Sequence, residues 1–306
     1  MQDDEGRAGY WQYANDGADE SNTTRQNQLT AASKLQDSVV NLLKNGDCEH
    51  DDGWAFMGDT ATGTMSYTSS QKYMGTKALQ LSRTDSTGRA YIRQVVNIKP
   101  NTTYTLSAYM KASNLSGSET AGGSYGAGIM LECVPVEGQY KNILSKTFWE
   151  DTDWVRLEAT YTTPATLYHP YMSCYLTVGF QSGTAYFDCI QLEEAPTASR
   201  FNLVQNANFS FPGATANDAL YWGKGSACTA NEKRVSLSPS AYPKQDGYCF
   251  QITGIADNER RVYQDIPISG STGDVYTLAG WAKGDSVPIS GSRKFGLMLR
   301  FYETNG

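Results

Sequence analysis

Charge is scarce in this sequence, and basic charge scarcer still. Asp, Glu, Lys and Arg make up 19% of its 306 residues, and the net charge is −7 with a pI near 5.0. With no basic cluster to offset that balance, a nucleic-acid partner is not expected. No run of 18 apolar residues exists, so no membrane-spanning helix is encoded. The opening MQDDEGRAGYWQY has neither the basic nor the apolar region of a signal peptide. There are two histidines, His50 and His169, and neither has a nucleophile or metal partner at a useful spacing. GxSxG, HExxH, GxGxxG and P-loop patterns are all absent. Carboxylates are numerous enough that counting does not exclude a glycosidase pair, but domains of this size and pattern rarely house one, so no enzyme is expected. The six cysteines (Cys48, Cys133, Cys174, Cys189, Cys228, Cys249) form no CxxC pair and show no metal spacing. They read as small buried hydrophobes, with a Cys228–Cys249 bridge as the alternative.

What the chain does have is 20 tyrosines, 29 glycines and many Ser and Thr, a mix that suits short strands and polar turns. It also has a repeat. Tyr104–Ser113, YTLSAYMKAS, returns 172 positions later as Tyr276–Asp285, YTLAGWAKGD. Both copies alternate in the manner of a strand. Residues 1–40 form a polar lead-in, with a short helix expected from Arg25 to Val39 and a largely disordered linker as the alternative. The first domain, 41–197, is read as nine strands: Gly63–Tyr67, Lys77–Ser82, Ala90–Ile98, Tyr104–Ala112, Gly126–Val134, Lys141–Phe148, Val155–Thr162, Tyr171–Phe180 and Ala185–Leu192. So many short strands point to an antiparallel β-sandwich.

The second domain, 201–306, restarts the pattern. Asn202–Phe209 mirrors the stretch from Asn41, Trp222 mirrors Trp54, Tyr248–Ile252 answers Ala78–Leu81, and Gln264 falls on Gln94. Gln94 and Gln264 share parity with apolar neighbours, so they read as buried amides bonded to backbone. Trp54 and Trp222 read as core caps. The second copy stops short of the closing strands, which leads us to expect a fragment of a larger protein. Repeats of this length indicate tandem whole domains, so the expected fold is all-β, two tandem jelly-roll sandwiches with the second truncated.

The order NLLKNGDCE, Trp, GTKALQL, QVVNIKPNTTYTLSAYMKAS, AYFDCIQLEE resembles the CenC type of carbohydrate-binding module, a galactose-binding-like jelly roll. The pairing of NLLKNG with FDCIQLEE also resembles modules embedded in large bacterial surface proteins with RHS (YD) repeats. The resemblance implies a secreted or cell-surface setting and a polysaccharide or glycan partner. It further implies one structural calcium ion, which takes about six to eight hard oxygens. By position these would be the carboxylates of Glu49 and Asp188 and the carbonyls of Gly75 and Lys77. The family's sugar site is a groove across one sheet, where aromatic planes stack on C–H faces and planar polar groups read hydroxyls. Outward parity assigns to it Tyr91, Arg93, Tyr109, Lys111, Glu132, Tyr171 and Tyr175. In the second copy it assigns Arg261, Tyr263, Asp265, Trp281, Met298 and Arg300. Tyr109 and Trp281 have an alternative reading as half-buried sheet residues covered by a loop. A spacer sandwich with no sugar site is the rival function.

Overall fold

The computed structural model describes residues 39–119, 125–237, 247–255, 258–268, 271, 273–287 and 295–302. The chain divides into two units: Val39–Ser269, and Met1–Ser38 together with Gly270–Gly306. The expected helix from Arg25 to Val39 falls almost wholly outside the described residues.

Within the larger unit the chain runs β1 (Ala55–Gly58), β2 (Gly63–Thr68), β3 (Ala78–Arg83), β4 (Arg89–Asn97), β5 (Thr103–Gly117), β6 (Ala127–Val136), β7 (Gln139–Leu144), β8 (Thr152–Thr162), β9 (Tyr171–Gly179) and β10 (Gln181–Glu193). Two five-stranded antiparallel sheets result, one in the order β1-β4-β9-β6-β7 and the other β2-β3-β10-β5-β8. All nine expected strands are present, within a few residues at most ends. β1 was not foreseen, because four residues are too short to display alternation. The last of several crossings between the sheets takes one residue: Phe180, at φ 55°, separates β9 in the first sheet from β10 in the second.

The alternation that identified the strands also builds the core. Ile92, Ile129, Leu131, Met172 and Leu176 face inward from the first sheet, against Leu79, Leu81, Leu106, Met110 and Phe187 from the second, all fully buried. Each such side chain contributes roughly 1.5–3 kcal/mol on leaving water. Cys48, Cys133, Cys174 and Cys189 are buried, and all six cysteines are free thiols. No Cys228–Cys249 bridge is present.

The opening stretch Asn41–Glu49 is not a strand but a set of turns held by side chains. Gln94 accepts from the Lys44 amide (2.7 Å) and donates to the Lys44 carbonyl (3.0 Å). Asn45, at φ 49°, donates to the carbonyls of His50 and Asp52 and accepts from the His50 amide. Trp54 Nε1 donates to the Asn45 carbonyl at 3.1 Å. The same arrangement occurs again downstream. Gln264 brackets Gln205 with bonds of 2.8 and 3.0 Å, and Asn206, at φ 50°, holds Phe211 and Leu220. Trp222 Nε1 donates to the Asn206 carbonyl at 3.2 Å. Both Gln side chains thus satisfy backbone, and Trp54 packs against the core.

Strand pairing after Asn202 is sparser. β11 (Gly223–Lys224) pairs with β14 (Val262–Tyr263), and β12 (Lys233–Ser236) with β13 (Tyr248–Gln251). In the smaller unit Tyr276–Asp285 is not a strand, contrary to its alternation. Its counterpart β5 is a strand because β8 and β10 bond its two edges. Tyr276–Asp285 has no such pairing among the described residues, and pattern without a partner leaves the backbone groups unladdered.

Candidate functional site

Register fixes which expected residues can act together. Across the first sheet Ala55, Arg93, Tyr175, Met130 and Leu144 form one transverse row, and Met57, Tyr91, Thr177 and Gly128 form the next. Glu132 pairs with Ser173 and Asn142 in a third. Because Ala90 and Ile92 point into the core, Tyr91 and Arg93 point out. One face therefore carries Tyr91, Arg93, Glu132 and Tyr175 on three adjacent strands. Tyr91 and Tyr175 lie 5.2 Å apart at 56°, and the Tyr175 hydroxyl donates to Glu132 Oε1 at 3.1 Å. Arg93 makes no hydrogen bond or ion pair among the described residues. Tyr171 lies at the far end of β9, stacked on His169.

Four further residues complete this face and were not foreseen. Arg89 donates to the Tyr91 hydroxyl (3.2 Å) and lies over the rings of Tyr125 (4.2 Å) and Phe180 (5.1 Å). Asn142 donates to the Tyr125 hydroxyl at 3.0 Å, while its Oδ1 is buried without a partner. Tyr125 lies just before an expected strand, and Phe180 shares the inward parity of Met172 and Leu176, so parity gave no signal for either.

Tyr109 and Lys111 do not belong to this face. They lie on β5 in the second sheet, where Tyr109 faces Arg156 and Asp188 across the ladder. Parity assigns a residue to one side of its own strand, but it does not say which sheet the strand joins. Tyr109 is covered by Tyr73 from the β2–β3 loop, stacked at 3.6 Å and 11°, with Trp154 edge-on to Tyr73 at 5.8 Å. Lys111 pairs with Asp153. The loop-covered alternative describes Tyr109 correctly. In the second copy Arg261 and Tyr263 belong to the larger unit, and Trp281, Met298 and Arg300 to the smaller one.

Of the four residues expected to hold a metal, Glu49, Gly75 and Asp188 line one small cavity, and Lys77 does not. Asp188 is fully buried on β10, where its Oδ2 accepts from the amides of Tyr73 (2.8 Å) and Met74 (2.9 Å). Glu49 Oε1 accepts from the amides of Thr76 (2.6 Å) and Lys77 (3.1 Å). Gly75, at φ 67°, lies so close that a Cβ there would overlap Glu49 Oε1. Asp47, a third carboxylate missed by the position-by-position reading, has a buried Oδ1 without a partner. Burial pushes Asp188 up to about 7 and Asp47 up to about 6. Asp47, Glu49 and Asp188 line a cavity of about 10 Å³ together with Met74, Gly75, Cys189, Phe201, Leu203, Ile266 and Pro267. That volume is about one water-sized or ion-sized sphere. Three carboxyl groups, one with an orphaned oxygen, around a single-sphere cavity are the hard-oxygen donors that calcium takes. Among the described residues, no three His, Cys, Asp or Glu side chains are gathered closely enough to form a metal-binding group by themselves.

Residues 40–177 match the family model of a carbohydrate binding domain. The tRNA nuclease WapA of Bacillus subtilis is 27% identical over 300 residues, which is 92% of this chain and 12% of that protein. The tRNA3(Ser)-specific nuclease WapA of Bacillus spizizenii has the same identity and the same coverage. The chain thus spans about an eighth of the length of these curated relatives. Among solved structures, a family 16 carbohydrate-binding module is 28% identical with a TM-score of 0.37, covering 50% of this chain and 100% of that one. A family 22 xylan-binding domain is 16% identical with a TM-score of 0.41, covering 53% and 99%.

Proposed function

We propose that the Val39–Glu193 sandwich is a non-catalytic carbohydrate-binding module that takes a polysaccharide or surface glycan on the outer face of its first sheet. The observation that carries this reading is the juxtaposition of Tyr91 and Tyr175 with the unpaired Arg93 and with Glu132 on adjacent strands. Ring planes supply surfaces for sugar C–H faces, while the guanidinium and carboxylate supply planar, bidentate contacts to neighbouring hydroxyls. The match of residues 40–177 to a carbohydrate binding domain supports it. The repeated Gln–Asn–Trp arrangement supports a second module beginning at Asn202, hence tandem modules of a larger secreted or cell-surface protein.

A structural calcium ion belongs to this reading. Asp47, Glu49 and Asp188 would hold it, and it would supply positive charge to a pocket where burial disfavours ionised acids. These carboxylates already tie the 73–77 loop to β10 and to the opening turns.

The test is retention of the intact chain on a panel of insoluble and immobilised polysaccharides. Retention by at least one glycan is expected, with Tyr175→Ala and Arg93→Ala each weakening it about tenfold or more. No retention on any glycan would leave the rival reading, a spacer sandwich. One observation favours that rival: Met130 and Tyr175, at the centre of the face, are only 3% and 8% exposed.

A further inference from the structure

Four apolar residues complete the wall of the acid-lined cavity, and none belongs to the first sandwich. Phe201 and Leu203 open the second repeat, and Ile266 and Pro267 follow its β14. They face Asp47, Glu49 and Asp188 across a space the size of one ion. Other contacts hold this wall in place. Gln205 accepts from the Gly46 amide at 3.2 Å, one residue before Asp47. Asn202 accepts no slack: its amide donates to Gln191 Oε1 (2.9 Å), and its Nδ2 donates to the Val39 carbonyl (2.7 Å). Nearby, Tyr221 donates to Asp52 and stacks on His50 at 4.3 Å.

We infer that the second repeat seals the first repeat's cation cavity through Leu203 and Ile266, so that cation binding and the fixing of the junction between repeats are one coupled equilibrium. The inference rests on the calcium reading above and goes beyond it, since the seal comes from outside the module that owns the carboxylates. The wall side chains carry no donor oxygens, so their effect is to exclude water. A charge held away from water feels its partners more strongly, and an ion that must pass an apolar wall leaves slowly. Reciprocity then requires that whatever the wall does for the ion, the ion does for the wall.

Two measurements on the intact chain test this. In the first, calcium-loaded protein is mixed with a fluorescent chelator and ion release is followed by stopped flow, for the native sequence and for Leu203→Ala and Ile266→Ala. Release about fivefold faster or more in either variant is expected. Unchanged release with a well-folded variant, judged by near-ultraviolet circular dichroism, overturns the seal while leaving the calcium reading intact. The second measurement needs no mutation and so survives a variant that fails to fold. Amide hydrogen exchange of the native chain is compared with and without calcium. Added protection at 203–206 and 264–266 is expected, beside that at 47–49 and 73–77. Protection confined to the first repeat overturns the inference. If the native chain takes up no calcium at millimolar concentration, the calcium reading fails, and the seal with it.

Discussion

The carboxamide of Gln94 closes a ring with the backbone of Lys44, accepting from its amide at 2.7 Å and donating to its carbonyl at 3.0 Å. Gln94 stands on β4, and Lys44 lies fifty positions earlier in a stretch with no ladder of its own. A single side chain therefore substitutes for a missing strand partner. Gln94→Leu keeps the volume but removes both bonds and leaves two backbone groups unpaired. A loss of about 1–3 kcal/mol is expected, read as a lower urea midpoint at unchanged slope. Gln94→Glu should fare little better, because a carboxylate cannot donate to the carbonyl.

At Gly75 the constraint is space as well as backbone. A positive φ of 67° and the nearness of Glu49 Oε1 both oppose a side chain. Gly75→Ala should lower stability by about 1–2 kcal/mol and shift Glu49 off the Thr76 and Lys77 amides. The thermal midpoint reads the first effect, and reduced calcium stabilisation reads the second.

Glu232 gives a pH dependence of defined sign. Burial raises its pKa, but the Thr229 and Thr253 amides, the Thr229 hydroxyl and the Arg260 guanidinium outweigh burial and hold the group down at about 2. Its ordinary value is 4.5. A depressed acid contributes stability that is fully present above the unfolded value and is lost as pH falls toward the folded one. Unfolding midpoints of the native chain should therefore drop between pH 4.5 and 2 more steeply than those of Glu232→Gln.

Tyr109 separates packing from binding. Its ring lies under Tyr73 in the second sheet, away from the face bearing Tyr91 and Tyr175. Tyr109→Ala should cost about 1–3 kcal/mol of stability and leave glycan retention unchanged, whereas Tyr175→Ala should diminish retention. Equal loss of retention in both variants would argue against the proposed face.

Strand period was legible throughout the first repeat, since residues such as Leu79, Leu81, Ile129 and Leu131 could satisfy the core only by alternating. The two bracketing glutamines were legible for the same reason: a polar group at inward parity must find backbone. What period could not convey was sheet membership, which depends on crossovers such as the one at Phe180. Tyr109 and Lys111 were consequently grouped with residues on another sheet. Asp47 was missed because it lies in a turn, where no parity exists and only its unpaired oxygen marks it. Tyr276–Asp285 shows the converse, a strand pattern without neighbours to complete it.

The stretch from Glu194 to Asn202 is short, and the second sheet grips it along its length. Thr105 donates to the Ala195 carbonyl at 2.7 Å, Arg156 to that of Ser199, and Glu193 accepts from the Ser199 amide at 2.7 Å. A protease must draw several residues of free backbone into its cleft before it can cut. Here the would-be hinge offers it little to seize, so limited digestion should spare this junction and nick the loops first.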